Sequence, residues 1–299
     1  MRHKSLTLAI SVALLAPSAL NASMKRRLYI DFDRGQRVDG VASAVMRGGN
    51  AFNYKATIDP GTQAKDRPAV VSEGCKSPPG CLRVSLDPSK PGAAKNKIMF
   101  PFWSHKRPLP GGESGRLRIG DGRTTKISFD MKLDRNYDTP LHALLHFQIF
   151  QPQSVAKTGA GNRPGGPVIA LNIVPRSKRR NLSPDIQEFV IAIRNPDAQK
   201  FVWFDTRDNT VLYRGAIQKG AWNTYTFQIT SSPLRDGGMG GRVIFLMNKQ
   251  KKVDKVVHWG FSPKNYNVLD TMSIELGAYR TPDKSGHQTV FFDNLLIER

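Results

Sequence analysis

The sequence predicts an all-β fold of short antiparallel strands: a sandwich, jelly roll or barrel. Period-two alternation of apolar and polar residues recurs in about a dozen short runs, while helical periodicity is almost absent. The 26 Gly and 20 Pro mark many turns, which suits β-architecture better than a helical bundle. With 299 residues the chain is long enough for one large β-domain with a sizeable core. At 39% hydrophobic and 23% charged residues it is neither a disordered chain nor a membrane bundle.

The elements follow in order. Residues 1–22 read as a signal peptide, leaving 23–299 as a single domain. Arg2 and Lys4 give a positive start, Leu6 to Leu15 form an uncharged apolar run, Pro17 breaks it, and small residues follow to Ala22. That run is shorter than the roughly 20 residues a spanning helix needs, so stable membrane insertion is not expected. Strands are predicted at Leu28–Phe32, Lys126–Leu133, His142–Phe150, Val168–Val174, Gln187–Arg194, Phe201–Phe204 and Thr210–Tyr213. Others follow at Asn223–Thr230, Arg242–Met247, Val253–Trp259, Met272–Tyr279 and Gln288–Ile297. Residues 59–95, 104–125 and 152–167 are Pro/Gly-rich and read as long loops. Cys75 and Cys81 flank a turn-forming Lys-Ser-Pro-Pro-Gly insert and are expected to close a small disulfide loop in an oxidising compartment.

The formal charge of +21 points to an anionic partner. The signal segment carries two basic side chains and no acid, so +19 remains after its removal. An exported protein, secreted or periplasmic, is not expected to bind nucleic acid. An anionic polysaccharide is the expected partner, and the protein is expected to be a monomer. Basic clusters at Lys25-Arg26-Arg27, Arg176 with Lys178-Arg179-Arg180, and Lys249 with Lys251, Lys252 and Lys255 would steer such a polymer by long-range attraction.

Strand parity separates core from surface. In His142–Phe150 the odd positions Ala143, Leu145, Phe147 and Ile149 are apolar, and the even face carries His142, His146 and Gln148. In Met272–Tyr279 the even positions are apolar, leaving Ser273, Glu275, Gly277 and Tyr279 opposite. In Gln187–Arg194 the core face is Phe189, Ile191 and Ile193, with Glu188 and Arg194 opposite. Ile169, Leu171 and Ile173 leave Asn172 on the far side of its strand. Such a polar sheet face suits a polysaccharide groove; a solvated sheet face is the alternative.

His146-Phe147-Gln148-Ile149-Phe150, Pro167 to Asn172, Gly220 to Tyr225, Glu275 to Arg280 and Val290 to Asn294 occur in an order that resembles jelly-roll polysaccharide lyases. The heparin lyase I-like and glucuronan lyase-like enzymes are the nearest, with a more distant likeness to alginate lyases. The resemblance spans roughly residues 126–299. It implies a concanavalin-like β-jelly roll with long loops and β-elimination at a uronic acid. It implies Gln148 and a basic side chain at the carboxylate, a His as base, and Tyr279 as acid or in both roles. The alginate lyase pattern is Q-[IV]-H, and Phe150 stands where its His is expected. His146 is the substitute on the same predicted face, with His142 and His105 as further candidates. Arg194, Arg280, Lys97 and Arg107 are candidates for the cation, and Asn172 for substrate binding. Two options stay open: a lyase using Tyr279 as both base and acid, or a non-catalytic carbohydrate-binding or cell-surface protein on the same fold. A jelly-roll glycoside hydrolase would need paired carboxylates, often as E-x-D-x-x-E, and no such string is present. No cofactor is required. Asp31 or Asp33 with Asp293 or Asn294 would provide oxygen ligands for a structural Ca²⁺ where terminal strands pair.

Overall fold

A computed structural model describes residues 27–32, 42–45, 51–54, 57–103, 117–118, 123–151, 153–156, 166–196, 198, 208–233, 239–260, 266–268, 271–281 and 286–298. The signal segment, Asp33, His105, Arg107 and the strand expected at Phe201–Phe204 lie outside the described residues.

Two antiparallel eight-stranded sheets pack face to face as a β-jelly roll, in agreement with the expected fold. One sheet runs Gln250–His258, Met239–Met247, Asn223–Pro233, Thr124–Leu133, Gln288–Glu298, Cys81–Leu86 and Ala69–Val71, with Arg27–Ile30 pairing beside Gln288–Glu298. The other runs Asn209–Gln218, Ile186–Arg194, Gly166–Ile173, Leu144–Gln151, Thr271–Arg280, Lys97–Trp103 and Thr57–Ile58, with Leu117–Arg118 beside Thr271–Arg280. The last two long strands therefore lie inside the two sheets, between partners far away in sequence.

Alternation explains the layers. In Thr124–Leu133 the residues Ile127, Phe129, Met131 and Leu133 face inward and are buried. Aromatic rings meet between the sheets: Phe147 stacks on Phe227 at 4.6 Å between centroids and lies 5.3 Å from Phe129. Burial of these rings with the surrounding aliphatic side chains removes apolar surface from water and stabilises the sandwich.

Three loop assignments are corrected. Residues 59–95 contain the strands Ala69–Val71 and Cys81–Leu86, and residues 104–125 contain Leu117–Arg118 and the start of Thr124–Leu133. Residues 152–167 likewise include the short strand Gln153–Ala156. In Cys81–Leu86 the alternation is clean, with Leu82, Val84 and Leu86 buried and Arg83 exposed. The Pro- and Gly-rich flanks concealed it.

Cys75 and Cys81 form the expected disulfide, with Cα atoms 5.4 Å apart. The loop leads into an interior strand and is tied down at a second point. Asp293, fully buried, accepts hydrogen bonds from the Ser77 N–H (2.9 Å), the Ser77 hydroxyl (3.0 Å) and the Asn294 N–H (2.9 Å). These donors occupy the carboxylate proposed as a calcium ligand. Among the described residues, no group of three or more His, Cys, Asp or Glu is placed to hold a metal ion. For so short a loop, chain entropy predicts that Cys75→Ser with Cys81→Ser costs about 2 kcal/mol. Urea unfolding measures this, and an unmoved midpoint would show that the Asp293 anchor alone holds the loop.

Candidate functional site: the outer face of the second sheet

Register places four predicted residues on one face. Tyr279 pairs with Lys97 on one side and with Leu145 on the other. Leu145 pairs in turn with Asn172, and Asn172 with Val190. Lys97, Tyr279, Leu145 and Asn172 thus form one row across four adjacent strands. A second row pairs Glu275 with Gln148. Met272, Ile274, Leu276 and Ala278 face the core, so the odd positions of this strand face outward as expected.

The polar groups are in unequal states. Tyr279 is 40% exposed, with the Lys97 Nζ 4.9 Å from its ring centroid. Gln148 donates from Nε2 to Glu275 Oε2 at 2.5 Å, while its Oε1 is buried without a hydrogen-bond partner. Asn172 is fully buried, and neither its Oδ1 nor its Nδ2 has a hydrogen-bond partner. Buried amides are normally satisfied, at a cost of about 1–3 kcal/mol when they are not. An amide left open beside an exposed phenol is the arrangement a polar ligand would complete.

Other expected members of the site are not there. A β-bulge falls between Leu145 and Phe147 in both pairings of this strand. The added residue reverses parity. Leu144, His146, Phe147 and Ile149 turn inward, and Leu145 turns outward, which corrects the predicted face of His146. The imidazole is fully buried, edge-on to Phe292, with Nε2 2.9 Å from the Tyr137 hydroxyl and Nδ1 2.8 Å from the Gly277 carbonyl. His142 sits in an exposed bend before the strand. Arg280 also points inward, donating to the Lys95 carbonyl (2.8 Å) and to Gln288 Oε1 (2.5 Å). Arg194 is fully buried and donates from Nε to the Pro167 carbonyl at 3.1 Å. Asp31 is half-buried near the end of the first described strand.

Part of the basic surface is structural. Glu188, on the same outer face, binds both Arg180 and Arg214, the latter at 2.9 Å. Burial would raise its carboxyl, but the two guanidiniums outweigh this and hold it at about 2. Arg179 caps the Leu182, Ser183 and Ile186 carbonyls. Nothing local in the sequence marks Glu188 as the partner of Arg180 and Arg214.

Burial lowers His146 to about 4, against the raising effect of the Gly277 carbonyl. The unfolded chain takes up a proton near pH 6.5, where the folded chain does not. This group's contribution is therefore complete above pH 6.5 and falls by roughly 3 kcal/mol toward pH 4. Asp293 works in the opposite sense. Burial raises it to about 6, so its folded form gains stability as pH falls through 6 toward 4. Denaturant unfolding at pH 7 and about pH 4.5 should show a smaller acid loss, or a net gain, in His146→Leu relative to wild type. Equal pH dependence in both proteins would refute the assignment.

No protein-family model matches the chain, and no curated protein matches its sequence. Among solved structures, the fold is that of jelly-roll polysaccharide lyases. The chain is similar to an endo-β-1,4-glucuronan lyase from the fungus Trichoderma reesei, with a TM-score of 0.52 and 13% identity over 90% of this chain and 94% of that one. It is also similar to the alginate lyase Aly36B, with a TM-score of 0.50 and 14% identity over 91% and 96% of the two chains. At these identities the likeness establishes the fold alone.

Proposed function

We propose that the protein is an exported polysaccharide lyase that cleaves an anionic, uronate-containing glycan by β-elimination. The observation that carries this reading is the row Lys97, Tyr279, Leu145, Asn172, with its open, fully buried amide. A uronate laid over Leu145 would have Tyr279 on one side and Asn172 on the other. The Asn172 amide N–H binds the C6 carboxylate and stabilises the negative charge that builds when C5 loses its proton, and Lys97, beside Tyr279, adds positive potential. Tyr279 takes the C5 proton at its phenol oxygen. The C5 electron pair forms the C4=C5 double bond, the C4–O bond breaks, and the same phenol returns the proton to the departing glycosidic oxygen. Gln148, held by Glu275, positions the neighbouring sugar. The basic surface gathers the polymer, and the disulfide fits an oxidising compartment. Among the described residues, no helix is long and apolar enough to cross a membrane.

One observation favours the binding-module reading instead: His146 lies in the core, and Phe150 holds the position where alginate lyases carry their His. Incubation with glucuronan, alginate, heparin, heparan sulfate and hyaluronan separates the two. The lyase produces unsaturated uronate ends with new ultraviolet absorbance on at least one polymer. Binding to a polymer without new absorbance on any of them assigns the fold to recognition alone.

A further inference from the structure

We propose that the outer face of the other sheet carries a second binding site, for a saccharide unit bearing a carboxylate or sulfate. It does not rest on the reading of the groove. The site is a cavity of about 740 Å³, within the roughly 300–1,000 Å³ of ordinary small-molecule sites. Its floor is two neighbouring strands in which Arg83 pairs with Phe291 and Ser85 with Thr289. Its walls come from the stretches containing Lys65 to Arg67, Asp87 to Ala93 and Asp134 to Asp138.

The lining has four cations and four acids, but they are not in equivalent states. The acids are engaged inside the protein. Asp87 accepts from the Ser89 N–H, the Ser89 hydroxyl and the Lys90 N–H, and faces His287 at 3.5 Å. Asp138 accepts the His287 N–H, Asp134 the Asn136 N–H, and Asp66 the Lys90 ammonium. The side chains of Lys65, Arg67 and Arg83 have no hydrogen bond or ion pair among the described residues. Three open cations at one cavity, on a chain this basic, select an anionic group.

A second feature narrows the ligand. The Asp66 side chain is 6% exposed, and its Oδ2 is buried without a hydrogen-bond partner. That oxygen requires a donor, which a bare inorganic anion lacks and a sugar hydroxyl provides. The Thr289 hydroxyl, bonded to Ser85 (2.8 Å) and to His287, adds further polar partners on the floor. Phe291 offers a ring edge to the apolar face of a pyranose, its own face being covered by Lys132 Nζ at 4.4 Å. A neutral sugar would leave the cations unused. Carboxylate or sulfate, hydroxyls and ring together match the lining. Two sites on opposite faces let one polymer network engage the protein twice, with a gain in avidity.

The test follows the His287 ring resonances by NMR in the intact folded protein. The probes are short glucuronan and alginate oligosaccharides, a heparin disaccharide, a carboxyl-reduced oligosaccharide and sodium sulfate. At least one acidic saccharide should shift His287 in wild type and in Tyr279→Phe. Arg67→Ala with Arg83→Ala should weaken that shift at least tenfold in affinity while any production of unsaturated uronate persists. His287 unmoved by every acidic saccharide overturns the proposal, as does equal response in the arginine variant. So does an equal response to sulfate alone or to the carboxyl-reduced sugar. Failure here leaves unsaturated product formation untouched, and failure of the lyase reading leaves the His287 shift untouched.

Discussion

Tyr279→Phe should abolish cleavage of the uronate polymer while leaving its binding nearly unchanged. The substitution removes one oxygen. The ring stays on the outer face, and the Lys97 Nζ keeps its place 4.9 Å from the ring centroid. Since Tyr279 is 40% exposed, no buried partner is orphaned and the fold should not notice. Loss of a group that serves as both base and acid costs about 10²–10⁴ in rate, or roughly 3–5 kcal/mol of barrier. Initial rates of ultraviolet absorbance, paired with affinity electrophoresis in gels containing the polymer, separate turnover from binding. Full turnover in the variant removes Tyr279 from the mechanism. Parallel loss of binding and turnover assigns it to recognition.

Gly277→Ala has the largest expected effect on stability. Gly277 adopts φ +149° in an interior strand, where it pairs with Met99, and a Cβ there would lie 2.0 Å from the Ile98 carbonyl oxygen. That atom belongs to the backbone of the adjacent strand, so no side-chain rotation relieves the overlap. The Gly277 carbonyl also receives the His146 ring, so a shift of this backbone disturbs the core as well. Backbone strain and overpacking together cost about 3 kcal/mol or more, a large share of the roughly 5–15 kcal/mol that holds a typical domain together. Gly61→Ala is the control. Gly61 also has positive φ, at +81°, but its Cβ would meet nothing within 4 Å, so only about 1 kcal/mol is expected. Comparable unfolding midpoints for the two variants would refute the argument.

Gly277 also clarifies what the Leu-Gly-Ala-Tyr-Arg string encodes. The sequence shows that Gly and Tyr share a face, and the structure agrees. The Gly is there because a neighbouring strand passes too close for any side chain. The Arg, which also looked like a ligand for a carboxylate, turns inward because it has the parity of Ala278. Fold class, most long strands and the core faces of residues 168–174, 187–194 and 272–279 were legible because side chains alternate strictly with period two. The Lys97–Trp103 strand was not, since Pro101 interrupts its run and proline argues against an interior strand. The bulge at 145–147 left no mark within its own strand; the glycine at the irregularity, Gly277, lies on the partner strand opposite His146. One extra residue was enough to move His146 from the expected groove into the core. The cavity at Arg83 and His287 draws on four separated stretches of chain. No local pattern unites them.

The placement of the final strands bears on how the molecule is made. Thr271–Arg280 pairs with Leu144–Gln151, and Gln288–Glu298 with Thr124–Leu133, so each sheet is closed by a strand synthesised after every strand it pairs with. Until they arrive, both half-sheets hold open hydrogen-bonding edges flanked by apolar strands. Such edges invite pairing with other chains, and late, long-range closure is slow. A nascent chain would need to be kept apart from its neighbours until residue 298 is free to pair. Deleting Gln288–Glu298 would leave a gap through the middle of the first sheet.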